Sequence, residues 1–152
     1  MFRFEDAVEI EATPAEVFAF VSDLERIAEW QAGVVRSHVI TPGPTRVGTR
    51  FEETAKVGPW RLETRCEVVA FDPPRAMRFT ASSKPLDYAG TLTVVPDGTH
   101  TRLLVEGTMR LKGGWRLMEP VLAGDMKREL RGELKTIKRI VEASPRTATS
   151  RP

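Results

Sequence analysis

The stretch LMEPVLAGDMKRELRGELKTIKRIVE, Leu117 to Glu142, decides the fold of this chain. Apolar residues recur at Leu122, Met126, Leu130, Leu134, Ile137 and Val141, three or four apart, with Lys127, Arg128, Arg131, Lys135, Lys138 and Arg139 between them. That spacing predicts one long amphipathic helix with a single buried stripe. Pro120 falls in its first turn, where a missing N–H costs no intrahelical bond. Gly124 and Gly132 each weaken the helix interior by about 1 kcal/mol relative to alanine, so the helix needs a surface to pack on.

The residues upstream read as that surface. Phe2 to Glu11 alternates, with Phe4, Val8 and Ile10 on one face and Glu5, Glu9 and Glu11 on the other, which predicts a half-buried strand. Thr13-Pro14-Ala15-Glu16 supplies a cap, a first-turn proline and a capping box for a short helix running to Ser22. Asp23 caps a second short helix, Leu24 to Trp30. Six strands follow: Val34–Thr41, Gly48–Val57, Trp60–Phe71, Arg75–Ala81, Asp87–Val95 and His100–Leu111. Turns at Pro42-Gly43-Pro44, Gly58-Pro59, Asp72-Pro73-Pro74 and Pro96-Asp97-Gly98 separate them. Short turns make neighbouring strands antiparallel. The expected class is α+β: a seven-stranded curved antiparallel sheet wrapped around the C-terminal helix, with two short helices after the first strand. A helix about 10 Å wide cannot cover seven strands spaced nearly 5 Å apart unless the sheet curls, and curling leaves room for a cavity between them.

Composition narrows the function classes. At 152 residues, 41% hydrophobic and 29% charged, the chain fits one globular domain, residues 1–143, with a flexible tail over 144–152. A net charge of +2 does not imply nucleic acid. No apolar run of about 20 residues predicts membrane insertion, and no leader pattern opens the sequence, so a cytoplasmic protein is expected. A lone cysteine, Cys66, suits a reducing compartment. The absence of asparagine and the preference for arginine over lysine suggest a GC-rich bacterial genome. His38 and His100 stand apart from other ligands, so no metal is expected, and the chain contains no phosphate loop, nucleophile elbow or dinucleotide fingerprint that would imply a cofactor.

Several stretches together resemble the START-like superfamily, also called SRPBCC, in the small bacterial group known as polyketide cyclase/dehydratase-like. They are Ile10-Glu11-Ala12-Thr13-Pro14-Ala15-Glu16-Val17-Phe18, Asp23-Leu24 leading to Trp30, Val47-Gly48-Thr49-Arg50-Phe51, Asp72-Pro73-Pro74 and the long terminal helix. The resemblance covers the chain to about Ala143 and implies a helix-grip fold. Its matches are caps, turns and packing positions, so it transfers no catalytic signature.

The inward faces define a candidate ligand cavity: Trp30, Phe51, Glu53, Leu62, Thr64, Cys66, Met77, Phe79, Tyr88, Leu92, Val105, Met118, Leu122 and Met126. Trp60 falls on the same inward face of its strand, but it and Trp115 are close to turns and read as rim or packing residues. Most of the set reads equally as plain core. Polar residues on these faces, Asp6, Glu53, Thr64, Cys66 and Tyr88, are the informative ones. A carboxylate buried among apolar groups has a raised pKa and can move protons near neutrality, so Glu53 with Tyr88 is the pair to test for chemistry. Against that, Glu53 could lie at an open strand end or reach an arginine, Asp6 could sit at the open end of the first strand, and Tyr88 could simply pack. Trp30 either caps the cavity mouth or anchors the short helices to the sheet. Cys66 reads as a buried, inert thiol. The charged side of the last helix, with Glu129, Glu133 and Glu142 among its bases, reads as a solvated face. Three functions remain open: a carrier of a hydrophobic or aromatic small molecule, a polyketide cyclase/dehydratase-type enzyme, and a protein-interaction module.

Overall fold

The long helix is present as α2 (Glu119–Ala143), and it lies alongside the first strand, β1 (Phe2–Ile10), for its whole length. Four polar contacts mark the alignment. The Met1 amino group meets Glu119 at 2.9 Å, Asp6 meets Arg131 at 3.5 Å, Lys138 Nζ donates to the Glu9 carbonyl at 2.9 Å, and the Glu11 N–H donates to Glu142 at 2.8 Å. The lengths agree: residues 119 to 142 rise about 35 Å as helix, and residues 1 to 11 span about 33 Å as strand.

The computed structural model describes residues 1–57 and 59–144, Val57 by its backbone alone. After β1 come α1 (Pro14–Val21), a 3-10 helix (Leu24–Glu29) and six further strands. These are β2 (Val34–Val39), β3 (Arg50–Val57), β4 (Trp60–Asp72), β5 (Ala76–Ser82), β6 (Leu86–Asp97) and β7 (His100–Leu111), and a second 3-10 helix (Gly113–Met118) leads into α2. One antiparallel sheet takes the order β1-β7-β6-β5-β4-β3-β2. This is the seven-stranded, helix-wrapped α+β architecture read from the sequence.

Details differ from that reading. The helix begins at Glu119, not Leu117, because the Trp115 N–H bonds to the Lys112 carbonyl and the approach is wound as a 3-10 helix. The segment Leu24–Glu29 is also 3-10: it is six residues long, capped by Asp23 on the Glu25 N–H, and Trp30 ends it. Pro96 and Asp97 extend β6, so Asp97 pairs with His100 and the turn is Gly98-Thr99, with Gly98 at φ +64°. Gly58 of the expected Gly58-Pro59 turn lies outside the described residues, as does the expected tail beyond Ser144.

α1 forms as its sequence dictates. Thr13 accepts the Glu16 N–H and Glu16 returns a bond to the Thr13 N–H, the reciprocal capping box. Its buried face, Val17, Phe18, Phe20 and Val21, closes one end of the sheet with Ile10, Val68, Met77, Leu92, Val94 and Leu103. Leu130, Leu134, Ile137 and Val141 of α2 complete this core, whereas Met126 and Leu122 are only half-buried.

Curvature at the other end rests on a pair of glycines. Gly90 of β6 faces Gly107 of β7 on the inner surface, flanked by Phe79 of β5 and Phe4 of β1. Tyr88 stacks between those two rings, 5.7 Å from Phe4 and 5.6 Å from Phe79. A Cβ on Gly107 would overlap Phe4 Cζ and lie 2.7 Å from its Cε2, and one on Gly90 would lie 3.0 Å from Tyr88 Cε1. The rings thus occupy the space that side chains at the glycines would need. Gly107→Ala is therefore expected to cost about 1–3 kcal/mol in urea unfolding, while Gly132→Ala, in open space on α2, gains about 1 kcal/mol. A Gly107→Ala protein as stable as the parent would refute this packing.

Candidate functional site

Strand alternation puts Phe51, Glu53 and Ala55 of β3 on the inner face, and the register sets Glu53 between Ser37 of β2 and Thr64 of β4. Glu53 is only 6% exposed, and its Oε2 meets no hydrogen-bond partner among the described residues. Ser37, its neighbour, spends its hydroxyl on the Leu24 carbonyl, which ties β2 to the 3-10 helix. Glu53 is therefore neither at an exposed strand end nor paired with an arginine. Burial raises its carboxyl to about 7.

A second carboxylate reaches the same interior from α2. Glu133 is half-buried and accepts the Ala32 N–H at 2.9 Å, binding the helix to the loop between the 3-10 helix and β2. The Gly33 carbonyl accepts the Lys56 N–H at 2.8 Å, so this loop lies beside the far end of β3. Burial raises Glu133 to about 7, the Ala32 bond opposes the rise, and the charges of Glu129 and Glu53 add to it. The solvated helix face expected from the sequence holds for Lys127, Arg128, Arg131, Lys135 and Arg139, which are exposed, but not for Glu133. The signal is present in the spacing, since positions 126, 130, 133 and 137 recur as a buried stripe does.

Cys66 and Tyr88 complete the polar interior. Cys66 is buried, and desolvation, then the charges of Glu53 and Glu52, push its thiol up, away from a reactive thiolate. Burial likewise pushes the Tyr88 phenol up, reinforced by Glu133, Glu53 and Cys66. The Tyr88 ring packs between phenylalanines, and its hydroxyl has no hydrogen-bond partner among the described residues. Glu53 and Tyr88 thus share the inner face without a direct hydrogen bond.

The other expected lining residues divide by depth. Phe51, Met77, Leu92 and Val105 are packed core; Thr64 and Phe79 are buried beside the polar groups; Leu62, Leu122 and Met126 are half-buried. Trp30 is 8% exposed, with an indole N–H that finds no acceptor among the described residues. Met118 departs from expectation: it stands 45% exposed with Trp115, Leu117 and Val121, because the chain there has not yet come down onto the sheet. Trp60, at the start of β4, is exposed as well. Asp6 lies mid-strand, opposite Val105, and is answered by Arg131.

Two clefts, of about 390 and 640 Å³, open mainly among outward-facing side chains such as Arg78, Thr91, Arg65 and Thr80. Neither is lined by Glu53 or Glu133, and the ion pairs Arg50–Glu67 and Lys112–Asp87 already satisfy several of their charges. Of the three buried side-chain atoms without a partner among the described residues, Glu53 Oε2 and Trp30 Nε1 are inside the grip and Glu9 Oε2 is on the outer face of β1. No group of three or more His, Cys, Asp or Glu that could hold a metal ion occurs among the described residues, and none of their helices is long and apolar enough to cross a membrane.

The raised carboxyl of Glu53 has a stability consequence. Its folded pKa, about 7, exceeds the ordinary 4.5, so the folded state holds the proton more tightly. Its contribution is complete below pH about 4.5 and is lost as pH rises through about 7. Glu53→Gln is expected to leave stability at pH 4 unchanged and to raise it by about 3 kcal/mol at pH 8. Urea titrations at the two pH values check this, and equal effects at both would contradict the burial of the charge.

Residues 1–142 match the family model described as polyketide cyclase / dehydrase and lipid transport. Among solved structures, the Zhui aromatase/cyclase from Streptomyces sp. R1128 superposes with a TM-score of 0.80 at 14% identity, covering 97% of each chain. TTHA0849 from Thermus thermophilus gives 0.76 at 21% identity, over 93% of this chain and 97% of that one. A START superfamily protein from Mycobacterium smegmatis gives 0.73 at 18%, over 92% and 97%. The family model bears out the polyketide cyclase/dehydratase-like resemblance seen in the sequence, and the structural likenesses carry its helix-grip fold. Against curated proteins the sequence finds no match.

Proposed function

The chain belongs to the polyketide cyclase/dehydrase and lipid-transport family, and on that premise we propose that it binds a hydrophobic or aromatic small molecule between the sheet and α2. The observation that carries this reading is the Glu53 Oε2, a buried acceptor with no partner among the described residues, on the same inner face as Phe51 and Tyr88. Buried polar atoms are ordinarily satisfied, and one left open beside aromatic rings is what a site awaiting a ligand group presents. Residues 1–143 act as one unit in this proposal, and the lone buried Cys66 suits a reducing, cytoplasmic setting. Entry is from the Tyr88 end, where Met126 and Leu122 are half-buried and the approach to α2 is exposed.

A second reading, a cyclase- or dehydratase-type enzyme, is favoured by the position of Glu53. A carboxyl titrating at about 7 is suited both to accept a proton from an acidic C–H beside a ketone and to return one to an oxygen. Zhui is named as an aromatase/cyclase, and so is the di-domain protein BexL, one half of which this fold resembles. In this reading the aromatic walls hold the substrate's conformation and Glu53 moves the proton.

Native mass spectrometry of the purified protein, compared with the denatured sample and with a Nile red titration, tests the first reading. A co-purified lipophilic molecule, or saturable dye uptake, is the expected result; an empty protein that takes up no dye overturns it. For the second reading, Glu53→Gln is expected to lower turnover at saturating substrate about 100-fold or more. Full turnover in that variant would remove Glu53 from the mechanism.

A further inference from the structure

Resting on that binding reading, we propose that the interior is selective for an organic cation, an amine carried on an apolar or aromatic body. Two carboxylates enter it from different walls, Glu53 from β3 and Glu133 from α2, close enough for the Glu53 charge to act on Glu133. Neither is within ion-pair distance of a lysine, arginine or histidine among the described residues.

The groups facing this space from the surrounding elements are acids or neutral. β2 offers Ser37, β4 offers Thr64 and Cys66, and β6 offers Tyr88. On α2 the exposed Glu129 adds its charge to that of Glu133. On α2, Arg131 is exposed and paired with Asp6 of β1. Among the described residues the one fully buried charged side chain is an acid, Glu53.

Trp30 supplies an independent sign of a missing ligand. It is more than nine-tenths buried, two residues before the loop position that Glu133 holds, and its indole N–H has no acceptor among the described residues. An ammonium would satisfy the open Glu53 oxygen with a charge-assisted hydrogen bond, and the ligand's apolar body would pack on the inner face that Glu53 shares with Phe51 and Tyr88. An acceptor atom on the same ligand would answer Trp30. A carboxylate ligand such as a fatty acid would instead meet like charge at a desolvated site, and no basic group inside would receive it.

The experiment uses three probes on one scaffold, 4-phenylbutylamine, 4-phenylbutanol and 4-phenylbutyrate, titrated calorimetrically at pH 7 in two buffers of different ionisation enthalpy. The amine is expected to bind at least about tenfold tighter than the alcohol, with the acid weakest. It should also release protons to the buffer as Glu53 and Glu133 ionise against it. Glu53→Gln and Glu133→Gln should each erase most of the amine's advantage over the alcohol. An alcohol or acid that binds as well as the amine overturns the cation assignment while the binding reading stands. If Nile red binds and none of the three probes does, the assignment is again wrong. If neither dye nor probe binds, the binding reading itself fails.

Discussion

One helix has to cover a sheet seven strands wide, and the architecture follows from how that mismatch is resolved. α2 does not lie across the strands but takes the direction of β1, with matched length and polar contacts from Met1 to Glu11. This leaves the β2 side of the concavity to the 3-10 helix Leu24–Glu29, which is packed on β2, while α1 packs on β6 and β7. These smaller elements reach α2 through Glu133 and Ala32. The polar interior lies where coverage changes hands, bounded by α2 on one side and by the Trp30 loop on the other.

The interior accepts an energetic penalty that a purely structural core would avoid. Leucine or methionine at position 53 would pack against Phe51 without desolvating a charge. Instead a carboxyl is held where neutrality is favoured until about pH 7, and a second one from α2 is raised by the same surroundings. The glycine pair works in the same direction. By omitting side chains at Gly90 and Gly107, the sheet lets Tyr88 lie over its own backbone, between the Phe4 and Phe79 rings. The two ends of the grip thus differ in their polar content: the α1 end is filled with Val, Leu, Ile and the rings of Phe18 and Phe20, whereas the other is floored with rings and edged with acids.

Periodicity and capping carried the element order, since both are local. The three- and four-residue spacing of Leu130, Leu134, Ile137 and Val141 and the Thr13–Glu16 reciprocity could be read without knowing what lay beside them. Strand alternation likewise put Glu53, Cys66 and Tyr88 on one face. What escaped was settled by distant neighbours. Whether Glu133 faces water or the interior depends on a loop a hundred residues away in sequence, at Ala32. Whether Met118 is buried depends on where α2 first touches the sheet, and whether Trp60 is buried depends on how far β4 runs past its cover. The choice between α and 3-10 winding in Leu24–Glu29 is equally non-local, since apolar spacing over six residues does not separate them.

The pairing of β1 with β7, Ile10 against Thr101 and Phe2 against Met109, also orders events in time. β1 is made by the ribosome before every other element of the grip, yet both surfaces it needs, β7 in the sheet and α2 across it, are made last. Through most of synthesis its row of unpaired backbone groups has no native neighbour, and closure must await nearly the entire chain. Such end-to-end closure gives a high contact order and a correspondingly slow, single-step consolidation. Until it occurs, the alternating glutamates of β1 are its own protection, keeping one side of a nascent edge charged and unattractive to other strands.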